Sequence, residues 1–232
     1  MRLFALADLH LSFGVDKPMN IFGRQWEDHA DRIRSNWTAL VGAEDVVLMP
    51  GDLSWGMTLE EAQPDLDFLG GLPGTIILGK GNHDYWWQSL RRVNAALPTN
   101  VRALQNDSYR LPDDRAVCGA RGWSLPGSEG FTDHDEKIYR REALRLGLSL
   151  QTAKKAGLRP EVVMLHFPPL GPGGEPSEFS DILERHEVRT CVYGHLHGQH
   201  AAGASEGMIR GVLYRLVACD AVDFAPVFLA EY

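Results

Sequence analysis

The chain has 232 residues, of which 44% are hydrophobic and 23% are charged, and because no stretch resembles a linker we expect one domain over residues 1–232. Its net charge of −8 argues against non-specific binding to nucleic acid or to an anionic membrane. The three cysteines are dispersed, which argues against a disulfide scaffold. The N-terminus turns acidic at Asp8, which argues against a signal peptide, and no apolar run is long enough for a membrane helix. We therefore expect a cytoplasmic protein.

Short apolar runs alternate with longer amphipathic stretches, and this alternation predicts an α/β fold. Strands are predicted over residues 3–7, 46–49, 75–78, 116–120, 162–165, 190–193, 209–218 and 226–230. Apolar residues at helical spacing predict a first helix within residues 26–40. A second helix is predicted to begin at the capping box of Thr58 and Glu61, and a third to cover about residues 136–156. The last two strands have no helix between them, so a mixed sheet is expected.

Side chains that can bind metal follow five of these strands, each directly after the carboxyl end. They are Asp8 and His10, Asp52, Asn82, His166, and His195 and His197. In open α/β sheets this edge is where ligands bind. Residues two apart at a strand end point to the same side, so Asp8 can converge with His10, and His195 with His197. The sequence therefore predicts a metal site at this edge.

The seven side chains offer oxygen and nitrogen donors and no thiolate. One ion cannot use so many and keep an open position, so we expect two divalent ions joined by a bridging carboxylate. Imidazole and carboxylate ligands suit transition metals better than magnesium or calcium. Manganese is our first expectation, and iron, zinc or cobalt would also fit. Two such ions can share a hydroxide and clamp the oxygens of a phosphoryl group, which predicts phosphoester hydrolysis.

In order along the chain, the motifs resemble those of the calcineurin-like metallophosphoesterases. They are Asp8-Leu9-His10, Gly51-Asp52, Gly81-Asn82-His83-Asp84, His166 and Gly194-His195-Leu196-His197. The resemblance implies an α/β fold in which a two-sheet mixed β sandwich is flanked by helices. It also implies a ligand set: Asp8, His10 and His197 on one ion, Asn82, His166 and His195 on the other, and Asp52 bridging.

The resemblance further implies that His83 is a catalytic acid that protonates the leaving oxygen or binds the phosphate. Asp84 would hold the His83 imidazole and favour its charged form. Asn82 and His83 would then contact the substrate. Arg121, which follows a predicted strand, is a candidate phosphate contact because arginine binds phosphate in bidentate fashion, although a surface arginine is commoner. Four aromatic residues beside the motifs belong either to the core or to a pocket wall: Trp55, Tyr85, Trp86 and Trp87.

The predicted function is a metal-dependent phosphatase or phosphodiesterase in which a metal-bridging hydroxide attacks phosphorus. The expected partner is a phosphorylated small molecule or a nucleotide. Protein phosphatases of this superfamily carry an Asp-Arg pair after the bridging aspartate and a glutamate after the Asn-His pair. This chain has Leu53-Ser54 and Asp84 at those places, which argues against a dedicated protein phosphatase.

Two alternatives stay open at this point. One is a nuclease acting on nucleic-acid phosphodiesters, against which the net charge of −8 counts, because backbone contacts supply most of the affinity for nucleic acid. The other is a non-catalytic scaffold of the same fold. Retention of the full ligand set and of His83 argues against the scaffold.

Overall fold

The chain forms two mixed β-sheets, each in its own unit, in the computed structural model, which describes residues 1–232. The first unit comprises Met1–Ala103 and Val217–Tyr232, and the second comprises Leu104–Leu216. The strands are β1 (Arg2–Ala5), β2 (Val46–Met49), β3 (Thr75–Leu78), β4 (Val101–Ala103), β5 (Ser108–Leu111), β6 (Arg115–Ala120), β7 (Arg159–Leu165), β8 (Thr190–Tyr193), β9 (Gly207–Ile209), β10 (Val212–Leu216) and β11 (Val227–Glu231). The helices are α1 (His29–Leu40), α2 (Leu59–Gly70), α3 (Leu90–Ala96), α4 (Asp133–Lys155) and α5 (Glu178–Arg185).

The five-stranded sheet of the first unit has the order β11-β1-β2-β3-β4. Strands β1 to β4 are parallel, and β11 runs antiparallel to β1. The central strand β2 is buried at every position, which is why it reads as an unbroken apolar run. Because the four parallel strands end at the same edge, the loops that follow β1, β2 and β3 emerge side by side.

Helices α1 and α2 cover this sheet with apolar faces. Helix α1 buries Ile33 and Trp37, and the Trp37 indole donates a hydrogen bond to the Pro73 carbonyl at 2.9 Å. Helix α2 begins at the predicted capping box, in which Thr58 and Glu61 exchange hydrogen bonds. Both helices contribute to one hydrophobic core in the first unit.

The six-stranded sheet of the second unit has the order β5-β6-β7-β8-β10-β9. Strands β6, β7, β8 and β10 are parallel, and the two edge strands β5 and β9 are antiparallel to their neighbours. Helix α4 packs against β6, where Gly119 N donates to Ser149 Oγ at 2.9 Å. The loops after β6, β7 and β8 therefore emerge next to one another at one edge.

The predicted α/β fold with two mixed sheets and flanking helices is confirmed. Strands 46–49, 75–78 and 190–193 lie where the sequence predicts them. The single strand predicted over residues 209–218 is wrong: the chain reverses at Arg210 and Gly211, both with positive φ, so that β9 and β10 form a hairpin. No helix is both long enough and apolar enough to span a membrane. One domain over residues 1–232 stays a prediction.

Candidate metal centre

Three of the predicted ligands form one buried cluster in the first unit. A carboxylate oxygen of Asp8 lies within 4.8 Å of a ring nitrogen of His10 and within 4.8 Å of a carboxylate oxygen of Asp52. The distance from His10 Nε2 to Asp52 Oδ2 is 3.9 Å. All three residues are at most 3% exposed. Two carboxylates and an imidazole at this spacing match the donor set that divalent transition metals bind.

The cluster forms because the loops after β1 and β2 run alongside each other beyond the strand ends. Asp8 N donates to the Gly51 carbonyl at 3.0 Å, and His10 N donates to the Asp52 carbonyl at 3.1 Å. From the other side, the Cys219 thiol donates to the Asp8 carbonyl at 2.9 Å. Burial raises the pKa of Cys219 well above its ordinary value, so this thiol keeps its proton and remains a donor. The backbone at Asp8 is thereby held on two sides.

Asp84 joins the loops that follow β2 and β3. Its carboxylate is fully buried and accepts five hydrogen bonds of 2.8 to 3.4 Å. The donors are the backbone N–H groups of Asp52, Leu53, Ser54 and Gly81 and the indole N–H of Trp86. Burial raises the pKa of the Asp84 carboxyl, and the donors act in the opposite direction. With so many donors on both oxygens, the side chain functions as a backbone clamp.

This arrangement differs from the role expected for Asp84. The sequence suggested that Asp84 holds the His83 imidazole. Instead, its two oxygens accept hydrogen bonds from backbone N–H groups, such as those of Asp52 and Gly81, and from the Trp86 indole. The backbone N–H of His83 donates to Asp52 Oδ1 at 2.8 Å. Asp84 thus positions the turn that carries Asp52, and Asp52 in turn binds the His83 backbone.

Trp55 packs against the imidazoles of two predicted functional residues. Its ring stacks on His10 with centroids 4.8 Å apart, and it lies 4.4 Å from the ring of His83. The Trp55 indole donates to Met19 Sδ at 3.1 Å, and Lys17 Nζ lies 3.2 Å from the centre of the Trp55 ring. This side chain therefore orients both imidazoles and places a cation beside them. The position of Trp55 next to a motif predicted only a place in the core or in a pocket wall, and no sequence signal marked Lys17.

The other three aromatic residues beside the motifs divide between the core and the surface. Trp86 is fully buried and Trp87 nearly so, and both belong to the core of the first unit. Tyr85 is 58% exposed.

Asn82, the remaining predicted ligand in this unit, lies in the turn after β3 between Gly81 and His83 and is partly exposed.

The second unit brings together two further predicted ligands. His166 follows β7 and is fully buried, and His195 follows β8, with 5.1 Å between the two ring centroids. Phe167 packs on His195 at 4.1 Å between centroids. The backbone N–H of His166 donates to the Arg121 carbonyl at 2.9 Å, and the backbone N–H of Gly194 donates to the His166 carbonyl at 3.1 Å. Backbone bonds therefore connect the loops after β6, β7 and β8. His197 lies just before a 3₁₀ helix, Gly198–Gly203.

The Arg121 guanidinium makes contacts within the second unit. It lies 3.7 Å from the buried carboxylate of Glu142 and 4.3 Å from the centre of the Trp123 ring. Glu142 also binds Arg141 and Arg145, so three arginines share one buried carboxylate. These contacts fix the Arg121 side chain, which is 16% exposed. Its contact with a phosphate stays a prediction.

The ligand types present agree with a transition-metal site. Asp8, His10, Asp52, His166 and His197 each offer an atom placed so that it could hold a metal ion. This set contains carboxylates and imidazoles and no thiolate, as in sites for manganese, iron or zinc. Three of these residues lie on the loops after β1 and β2 in the first unit, and the other two lie on the loops after β7 and β8 in the second unit.

Comparison with solved structures shows a shared fold. A protein of unknown function from Aquifex aeolicus has a TM-score of 0.55 and 15% sequence identity, covering 98% of this chain and 95% of its own. A second solved structure has a TM-score of 0.54 and 14% identity, covering 92% of this chain and 88% of its own. At such low identity these likenesses concern the fold alone. A search of curated proteins finds no match.

The family comparison covers the motifs in both units. A model of the calcineurin-like phosphoesterases matches residues 1–199, a range that includes every predicted ligand from Asp8 to His197. This chain therefore belongs to the calcineurin-like phosphoesterase family.

Proposed function

We propose that this protein is a hydrolase that cleaves a phosphate mono- or diester with the help of two divalent transition-metal ions, manganese being the first choice. The observation that carries the proposal is the buried cluster of Asp8, His10 and Asp52 within a chain that belongs to this family. Burying these carboxylates beside each other costs free energy that a bound cation would offset. The family relationship supports a metal-dependent phosphoesterase.

The seven predicted side chains are the proposed ligands of the ions. Asp8, His10 and His197 would hold one ion, Asn82, His166 and His195 the other, and Asp52 would join them. When bound, the ions would lower the pKa of a water molecule and offset the negative charge of the phosphoryl group.

His83 is the proposed acid that delivers a proton to the leaving oxygen. Its backbone is fixed by Asp52 and its ring by Trp55, so the imidazole is oriented before substrate binds. A protonated ring nitrogen of His83 beside the leaving oxygen can donate its proton to that oxygen as the phosphorus–oxygen bond breaks. Asn82 would contact the same phosphate, and Asp84 would act through the turn rather than on the substrate.

The substrate is proposed to be a phosphorylated small molecule or nucleotide, encountered in the cytoplasm. Three free, buried cysteines suit a reducing compartment. The net charge of −8 disfavours a long nucleic acid as the substrate.

Reconstitution with single metals tests the proposed function. The metal-free protein is supplied in turn with manganese, iron, zinc, cobalt or magnesium, and the turnover of an aryl phosphate monoester and of an aryl phosphate diester is measured. We expect activity with at least one transition metal. Asp52→Asn should abolish most of it because a bridging carboxylate is lost, and His83→Ala should lower kcat by roughly 10²–10⁴-fold.

Matched substitutions outside the cluster provide the control. Asp67 is exposed on α2 and His134 is exposed on α4, so Asp67→Asn and His134→Ala should leave turnover unchanged. Lack of turnover with every metal, or equal turnover in the Asp52→Asn and Asp67→Asn variants, would rule out the proposal.

A further inference from the structure

A cavity of about 390 Å³ lies within the second unit, at the ends of β6, β7 and β8. Its walls come from the three loops that follow these strands and include Trp123, Leu125, Phe167 and Leu170. His195 and Leu196 also line it. A volume of this size is within the range of small-molecule sites.

The walls of the cavity are aromatic and aliphatic. Trp123 and Phe167 lie 5.1 Å apart between ring centroids, and the Trp123 indole is fixed by a 3.0 Å hydrogen bond to Asp135 Oδ1. The Phe167 ring also packs against the His195 imidazole, with 4.1 Å between the two centroids. A row of rings held in place by the protein offers a surface on which another ring can pack at low entropic cost.

The polar groups of the cavity carry no formal charge apart from its imidazoles. No aspartate, glutamate, lysine or arginine lines it; Ser124, Ser128 and Gln199 are among its polar residues. A second phosphate or a charged side chain would lose its hydration there without gaining an opposite charge. The cavity therefore suits a neutral, largely apolar group that can still accept or donate a few hydrogen bonds.

We propose that this cavity binds a neutral planar ring attached to the phosphate that the enzyme recognises, as in an aryl phosphate or a nucleotide. The inference rests on the proposed function, because it takes His195 as a metal ligand as well as a wall of the cavity. A phosphoryl group held beside His195 would then have one of its substituents next to Trp123 and Phe167. The cavity would thus select the substrate by its ring.

Non-hydrolysable phosphonates separate phosphate binding from ring binding. The dissociation constants of methylphosphonate, benzylphosphonate and a nucleoside 5′-phosphonate are measured by calorimetry on the manganese-loaded protein. Methylphosphonate reports the metal centre alone. We expect both ring compounds to bind roughly tenfold tighter than methylphosphonate because each buries a ring. A further gain for the nucleoside compound over benzylphosphonate would identify a nucleobase as the group bound, and equal affinities would identify a simple aryl group.

Cavity-filling substitutions test where the ring binds. Leu125→Trp places a large side chain in the cavity and should remove most of the tenfold gain while leaving methylphosphonate binding unchanged. Ser128→Trp does the same from the exposed rim and does not alter a buried position. Leu144→Trp is the control, because Leu144 is 71% exposed on α4 and does not line the cavity.

The outcomes distinguish the two proposals. If methylphosphonate fails to bind the loaded protein, the proposed metal-dependent function is wrong. If methylphosphonate binds but neither ring compound binds more tightly, or if Leu125→Trp and Ser128→Trp both keep the full gain, the function stands and the ring-binding cavity is overturned.

Discussion

Several predicted ligands have a backbone conformation that non-glycine residues seldom adopt. The φ angles are 60° at Asp8, 47° at His10, 53° at Asp52 and 72° at His195. Such left-handed conformations cost free energy and persist where surrounding contacts hold them, frequently at functional sites. In the first unit the hydrogen bonds to Gly51, Asp52 and Asp84 supply that support. The backbone conformation thus sets the direction of these side chains.

Substitution of Asp84 should destabilise this arrangement. In an Asp84→Asn variant the amide nitrogen must face at least two N–H donors, in whichever orientation the side chain is placed. Each donor left without an acceptor in the interior costs about 1–3 kcal/mol, so for two donors we expect the free energy of unfolding to fall by roughly 2–6 kcal/mol. Urea unfolding of the metal-free protein measures this, and calorimetry should show weaker manganese binding.

Asp67→Asn is the matched control, since Asp67 is exposed and accepts a bond from the Gln63 side chain on the same helix. It should change the stability little. If the Asp84 variant unfolds at the same urea concentration as the Asp67 variant and binds manganese equally well, Asp84 does not act as a backbone clamp.

The sequence could not reveal this clamp. Asp84 stands directly after His83, which suggests that the two side chains interact. Its actual donors, such as Asp52 N, are about thirty positions away and become neighbours only when β2 and β3 pair. Residue type and position after a strand were enough to select Asp8, His10 and Asp52, whose side chains the structure brings into one cluster.

Among the secondary-structure elements, the strands that the sequence predicts best are those that lie between two neighbouring strands. Residues 46–49 and 75–78 form β2 and β3, each of which lies between two parallel strands of the first sheet. They therefore read as largely continuous apolar runs. Four elements are not predicted by the sequence patterns, and all of them are short or lie at sheet edges: β4, β5, α3 and α5. Elements of this kind depend on tertiary contacts for their stability, so their own sequence carries a weak signal.

An ion pair fastens β1 to the turn between α1 and β2. Asp45 accepts hydrogen bonds from the Arg2 backbone at 2.7 Å, from the Arg2 guanidinium at 2.6 Å and from Gly42 N at 2.8 Å. Burial alone would raise the pKa of the Asp45 carboxyl, but the Arg2 side chain and the backbone donors outweigh burial and lower this pKa to about 2.

This lowered pKa predicts a pH dependence of stability. The unfolded chain takes up the proton near pH 4 and the folded chain only near pH 2, so the stabilisation is present above about pH 4 and is lost as the pH falls towards 2. Because Arg2 is 43% exposed and water screens the pair, we expect a contribution of about 1–2 kcal/mol. Thermal unfolding of the wild type and of Asp45→Asn should therefore differ at pH 5 and converge near pH 2. A difference that does not change with pH would contradict this account.

The first unit includes residues that lie well beyond the last motif of the chain. The family model ends at residue 199, yet the first unit is completed by Val217–Tyr232. Strand β11 pairs with β1, and the preceding segment forms a parallel bridge between Ala218 and Ala7, next to Asp8. Ala7 N donates to the Val217 carbonyl at 2.8 Å, and Cys219 N donates to the Ala7 carbonyl at 3.0 Å. The C-terminal segment thus supports the backbone at Ala7 and Asp8.

Two truncations separate these contributions. A chain that ends at Ala225 loses β11 but keeps the contacts of Val217 and Cys219, so its unfolding midpoint should fall while manganese affinity is retained. A chain that ends at Leu216 also loses the support of Asp8, and we expect its manganese affinity to fall by roughly 10–100-fold, as when groups that orient ligands are removed. Calorimetry with manganese and circular dichroism on both chains provide the comparison. Full affinity in the shorter chain would show that β1 and β2 alone position Asp8.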